Sequence, residues 1–267
     1  MTPFLLRPPT AAAVPLIVSI PHTGTVLPAE IAADLASDAM RCQPMTDWHL
    51  DSLYEFLPAL GATTLAAVYS RFIVDLNRAP QPQALYPGRF ETGLVPDRTF
   101  QGETIYARQP DATTVEARKR AYHAPYHAQL LALLDETRAR FGRAVLVDAH
   151  SVASKASLLH GELVEDVFLG NRDGATCGDW LMDLLDRSFS ERGLGVSRNH
   201  PYKGGYITDH YGRMQDVEAV QIEMCQRIYM EEEAPEGARA QPRFSRAREL
   251  LREVFAGLAG TIERRLG

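Results

Sequence analysis

The sequence predicts a single α/β domain spanning residues 1–267, with a largely parallel sheet covered by helices. Two observations predict it. Short apolar, β-branched runs alternate with longer stretches of helical periodicity, the pattern of strands joined by helical crossovers. With 45% hydrophobic residues in 267, the chain buries a large core without disulfides or oligomerisation. No internal repeat, low-complexity tract or linker divides it.

In chain order, buried strands are expected at residues 14–20, 63–69, 72–76, 144–149, 166–169 and 219–224. A helix is expected over 47–60, where Trp48, Leu53, Tyr54, Leu57 and Leu60 share one face and Asp47 is placed as its N-cap. Further helices are expected over 115–141 and 175–192, and a charged amphipathic helix over 245–265 closes the domain. Two segments read as irregular: 79–109, rich in Pro, Gly and polar residues, and 199–215, which contains PYKGGYITDHYGR. Loops of this length in a compact domain usually carry function.

Composition narrows the partners. The net charge of −6 is spread along the chain with no long run of Lys or Arg, which argues against nucleic acid and leaves a small anionic substrate open. Cys42, Cys177 and Cys225 are too few and too scattered for a disulfide framework or a CxxC metal clamp. The prolines in MTPFLLRPPTAAAVPLIVSI break up a secretory leader, and no window reaches the roughly 18 to 20 apolar residues of a membrane span. The expectation is a cytoplasmic protein, a monomer or small homo-oligomer, with no membrane partner.

The apolar run PLIVSI leads into Pro21-His22-Thr23-Gly24, and AVLVDA leads into His150-Ser151. Ligands of open α/β sheets bind at the carboxyl ends of strands, so two histidines delivered there could converge on a metal. Either one alone also fits a packed or capping residue. A catalytic zinc takes three protein ligands and keeps a position open for water. Asp47 is the expected third ligand, with His49 and Asp51 as its alternatives. His123 and His127 have the i, i+4 spacing of a helical metal pair, but Pro125 lies between them and no HExxH glutamate accompanies them, so a packing role is preferred. His160, His200 and His210 have no partner pattern.

Glu223 lies in the apolar run 219–224, where a carboxylate is costly to bury unless paired or working. It is either an outward residue of a half-exposed strand or, facing a metal, a general base with a raised pKa. The stretch 70–78, SRFIVDLNR, carries Arg71, Asn77 and Arg78, and arginine's planar fork suits a carboxylate. Lys203 and Arg213 bracket the loop 202–212, which could add a second positive contact, with Gly204 and Gly205 as its hinge. Ser151 lacks a GxSxG elbow, and neither a phosphate-cradling loop nor a dinucleotide fingerprint is present.

The stretches VSIPHTG, TDWHLDSLY, SRFIVDLNR, LVDAHS, FLGNRDG, NHPYKGGYITDHYG and QIEMCQRIYM, in this order over nearly the whole chain, resemble the N-formylglutamate amidohydrolases, also called deformylases, of bacterial histidine degradation. The resemblance implies a three-layer α/β/α sandwich with a mixed, largely parallel sheet of the zinc-dependent exopeptidase-like (phosphorylase/hydrolase-like) kind. It implies Zn2+ at His22 and His150, with Asp47 standing in as the third ligand, and Glu223 as the general base. It also implies Arg71 as the polarising residue and Asn77 and Arg78 as carboxylate binders. Lys203, Tyr206 and Arg213 are the further substrate-binding candidates, and the implied substrate is N-formyl-L-glutamate. One departure stands out: the wider superfamily places a Glu three residues after the first His, where this chain has Thr25. The rival expectations are a same-fold amidohydrolase for another N-acyl amino acid or short peptide, and a non-catalytic dicarboxylate-binding protein. Such a donor set also accepts Co, Mn or Fe.

Overall fold

The computed structural model describes residues 2–81 and 90–266. Among these, one seven-stranded sheet is built from β1 (Phe4–Arg7), β2 (Leu16–Ile20), β3 (Thr63–Ala67), β4 (Ala144–Val152), β5 (Val167–Gly170), β6 (Val196–Arg198) and β7 (Val217–Cys225). The order is β1-β3-β2-β4-β7-β5-β6. The inner strands β3, β2, β4 and β7 run parallel, while β1 and the β5-β6 pair run against them. The helices are α1 (Ala29–Ala32), α2 (Asp38–Arg41), α3 (Leu50–Leu53), α4 (Ala112–Arg118), α5 (Ala124–Phe141), α6 (Asp179–Ser190), α7 (Tyr206–Tyr211) and α8 (Pro242–Leu266). None of them is long and apolar enough to cross a membrane.

Side chains alternate across a strand, and the two faces of this sheet bury different cores. On one face Val18, Val147 and Ile222 pack with α3, α6 and α8; on the other Ile17, Leu146 and Ala219 pack with α5 and α7. The result is an α/β/α sandwich. The second face changes character along each strand. In β4 the residues after Ala144 and Leu146 on that face are Asp148 and His150; in β7 those after Val217 and Ala219 are Gln221 and Glu223. Parallel register sets Asp148 beside Gln221 and His150 beside Glu223. Apolar side chains thus fill the amino-terminal half of this face, and buried polar ones collect at the carboxyl ends.

The expected strand at 72–76 is not one. Its apolar residues are buried, but on two sides of a turning chain: Phe72 and Ile73 pack with Ile31, Met45 and Tyr106, whereas Val74 and Leu76 join the α5–α7 core. Side chains bind the carbonyls of Phe72, Ile73 and Leu76, and of Arg78 just beyond, in place of a ladder, and Asp75 O accepts from Arg78 N–H in a turn. Tyr106 donates to Phe72 O, Arg118 to Ile73 O at 3.4 Å, His127 to Leu76 O at 2.8 Å and His123 to Arg78 O at 2.9 Å. His123 and His127 therefore hold this segment in place; burial pushes His127 down to about 3, with His123 adding to the effect, so it works as a neutral donor.

The helix expected over 47–60 shrinks to α3 and a 3-10 turn, Leu57–Leu60, and Asp47 does not cap it. His49, in the left-handed region at φ 61°, turns the chain before α3 and frees the Asp47 carboxylate for other partners. The helix expected over 115–141 is α4 and α5 joined by a π-helical turn, Lys119–His123, just before Pro125, whose missing N–H cannot extend a regular ladder. The irregular segment 199–215 contains α7, and of 79–109 residues 82–89 lie outside the described residues. The short edge strands β1 and β6 carried no readable pattern.

Candidate active site

β4 continues to Val152, so His150 projects from within the strand rather than beyond its tip, while His22 sits in the turn that ends β2. Asp47 reaches them from the segment before α3, its own N–H donating to His22 O at 3.1 Å. The Nδ1 atoms of His22 and His150 lie 3.1 Å apart. Asp47 Oδ2 is 3.0 Å from His150 Nδ1 and 3.7 Å from His22 Nδ1. One donor atom from each residue thus falls within 4.8 Å of the others, and all three residues are buried. Of the alternatives for the third position, His49 bonds Pro235 O and Asp51 meets Thr23, so neither joins the cluster.

With Nδ1 turned to the shared centre, each ring's Nε2 lies beside a buried aspartate, and His150 Nε2 is also 2.9 Å from Asn77 Nδ2. His22 donates to Asp75 Oδ1 at 2.7 Å. His150 Nε2 lies 3.0 Å from Asp148 Oδ1, an ion-pair contact whose alignment falls short of a hydrogen bond. Such outer carboxylates fix the tautomer and orientation of metal-ligating histidines. Asp75 also accepts from Arg71 Nη2 at 2.6 Å, which links the His22 ring to that guanidinium through one carboxylate. The Ser151 N–H steadies Asp47 Oδ2 at 3.2 Å.

The electrostatics suit a cation. Burial opposes charge on Asp47, but the hydrogen bond from His150 and the nearby His22 ring outweigh it and hold the carboxyl below its ordinary range. Burial likewise opposes charge on Asp75, and Arg71, His22 and Arg78 together hold it well below that range. Burial would lower His150, yet Asp148 and Asp47 raise it well above an ordinary imidazole. Two imidazole nitrogens and one carboxylate oxygen, in a buried site that stabilises positive charge, fit a divalent transition metal with room for a further ligand.

Glu223, 7% exposed, lies beside this cluster on β7. Burial pushes its carboxyl up to about 8, opposed by His150, reinforced by Asp47 and opposed again by Arg71. A carboxyl balanced near neutrality suits proton transfer. The cavity of ≈ 100 Å³ that it faces is also lined by His22, Asp47, His150, Arg71, Asn77 and Arg78. Phe90, Phe100, Leu159 and Tyr202 give it an apolar flank, with the Arg71 guanidinium 5.1 Å above the Phe100 ring.

Three residues expected to bind substrate do not line this cavity. Lys203 pairs with Asp173 at 2.6 Å and Arg213 with Asp209 at 2.7 Å, both near the surface. Tyr206 stacks on His210, ring centroids 4.9 Å apart. Their loop contributes Pro201, Tyr202 and Gly205 instead. Asn77 lines the cavity with both ends of its amide committed: Oδ1 accepts from Ile207 N at 2.8 Å, and Nδ2 donates to Asp148 Oδ2 at 3.1 Å. Arg78 donates to Thr92 O, Thr92 Oγ1 and Asn77 O, which takes three of a guanidinium's five N–H groups. The glycines expected as a hinge serve close packing, since a Cβ on Gly205 would come within 2.3 Å of Asn77.

Asp75, Asp148 and Gln221 were not singled out from sequence. Each stands two residues from one that was, and the period of two along β4 and β7 is the signal that places Asp148 and Gln221 in the site.

A family model described as N-formylglutamate amidohydrolase matches residues 14–230. The chain is 41% identical over 251 residues to the N-formylglutamate deformylase of Pseudomonas aeruginosa, covering 91% of this chain and 93% of that protein. It is 40% identical over 250 residues to the enzyme of the same name from Pseudomonas putida, covering 91% and 92%. Among solved structures, the N-formylglutamate amidohydrolase of Ralstonia eutropha JMP134 superposes with a TM-score of 0.85 at 32% identity, covering 99% of both chains. A protein from Agrobacterium tumefaciens at 20% identity, with a TM-score of 0.71 over 97% of this chain and 96% of its own, shares the fold. On matched length and identity together, the chain belongs to the N-formylglutamate amidohydrolase family.

Proposed function

We propose that the protein is a zinc-dependent hydrolase that splits N-formyl-L-glutamate into formate and L-glutamate, the last step of a histidine degradation route in the cytoplasm. The observation that carries this reading is the placement of Glu223, its carboxyl raised to about 8, in one cavity with the His22, Asp47 and His150 donors and two guanidiniums. The metal would be held by those three residues and, when bound, would supply Lewis acidity to water and to the amide carbonyl.

The protein's own groups account for the rest of the chemistry. Glu223, ionised, takes a proton from the attacking water and returns it to the departing nitrogen, one residue acting as base and then acid. Arg71, held by Asp75, places fixed positive charge where the carbonyl oxygen gains negative charge. Arg78, with two N–H groups without a partner among the described residues, draws a substrate carboxylate. Asn77 keeps His150, Asp148 and the start of α7 in register and so acts as scaffold.

Turnover of N-formyl-, N-acetyl- and N-succinyl-glutamate and of N-formyl-aspartate by the metal-loaded protein tests the reading. N-formylglutamate should give the highest kcat/KM; a preference for a longer acyl group would assign the protein to another N-acyl amino acid. Release of formate from none of them would leave a dicarboxylate-binding protein.

A further inference from the structure

Gln221 is buried, faces the cavity and stands two residues before Glu223 on the same face of β7. A buried primary amide is directional, because its oxygen only accepts and its nitrogen only donates. The direction is set here by main chain. Gly205 N–H donates to Gln221 Oε1 at 2.8 Å, so Nε2 is the end turned to Glu223, where it donates to Oε2 at 3.0 Å. Gly205 is itself fixed, packed on the Asn77 amide with no space for a Cβ, and two residues later Ile207 N–H is bound to the same Asn77. Reversing the Gln221 amide would set two oxygens against each other at Glu223 and two N–H groups against each other at Gly205.

We propose that Gln221 is the positioning residue of the general base: it occupies Glu223 Oε2 with a donor, holds the carboxylate plane, and confines proton exchange to Oε1. The proposal rests on the reading of Glu223 as that base. It also gives the loop 203–205 a role in the reaction, since the Gly205 N–H sets the orientation of Gln221.

Three variants of the full chain test this: Glu223→Gln, Gln221→Met and Gln221→Glu, each assayed for kcat and KM on N-formylglutamate and for metal content. Met keeps the volume and loses both hydrogen bonds; Glu keeps the acceptor for Gly205 and loses the amide donor. The expected results are loss of turnover in Glu223→Gln, and a kcat lowered at least about tenfold in Gln221→Met with KM within about twofold and metal content unchanged. Gln221→Glu should remain equally low, because facing carboxyl groups share a proton and take the base out of service. Full kcat in Gln221→Met, a change confined to KM or metal content, or activity restored by Gln221→Glu would each overturn the proposal and leave Gln221 as an anchor for Gly205. If Glu223→Gln itself keeps its activity, the reading of Glu223 fails instead, and the comparison separates the two.

Discussion

Replacing Glu223 by Gln should stop turnover and, in the metal-free protein, raise stability by an amount that grows with pH. Burial moves the carboxyl from 4.5 to about 8. Between those values the folded protein holds a proton that the unfolded chain has released, so stability falls as pH rises through the window. At about 1.4 kcal/mol per tenfold change in proton affinity, a difference of about 3.5 (8 − 4.5) sets a ceiling of about 5 kcal/mol. Glutamine is neutral throughout, fills the same volume and still accepts from Gln221, so the variant escapes this loss. For a chain of this size about 1 kcal/mol corresponds to roughly 2–4 °C in Tm. Thermal melts in a chelator should show the gap between variant and parent widening by about 5 °C or more from about pH 5 to about pH 8.5. Metal should shrink that gap, because a nearby cation favours the ionised parent. Turnover should fall by about 10²–10⁴-fold. A gap in Tm that stays constant with pH, or narrows, would refute the assignment of a destabilised carboxyl at this position.

Asp75→Asn should weaken metal binding by about 10- to 100-fold, measured by competition with a chelator, because the His22 ring loses its charged partner. Arg78→Ala should lower kcat/KM on N-formylglutamate by about 30-fold or more, the equivalent of about 2 kcal/mol, with metal content unchanged. Arg213→Ala should leave kcat/KM within about twofold, since its partner is Asp209 on the surface of α7 and exposed pairs contribute about 0–1 kcal/mol.

The parallel centre of the sheet was legible because buried strands with helices on both faces are apolar on both sides, as in 144–149 and 219–224. The same logic misread 72–76: burial on two sides gives one apolar signature whether carbonyls bond a neighbouring strand or, as here, the side chains of Tyr106, Arg118, His127 and His123. Those four donors lie 34 to 51 residues from the carbonyls they bind, and no local pattern reports them. That His22, His150 and Glu223 share one cavity was legible because an ionisable group within or just after an apolar run demands a reason. The positions of Lys203 and Arg213 away from the cavity were not legible, because a charge in a long loop is equally suited to a cavity or to an acid nearby, and here Asp173 and Asp209 are the acids. The hydrogen-bond direction of Gln221 belongs to tertiary structure alone, since it depends on an N–H sixteen residues upstream.

The sharing of one sheet face between core and chemistry limits how this protein can change. Leu146 and His150, like Ala219 and Glu223, keep their places through even spacing, so a one-residue insertion or deletion between them would send the polar group into the α3–α6–α8 layer and strand an aliphatic one over the cavity. Length variation within β4 or β7 is therefore closed to drift, and adaptation to a new acyl group is channelled into the segments around Phe100, Leu159 and Tyr202, whose lengths no pleat dictates.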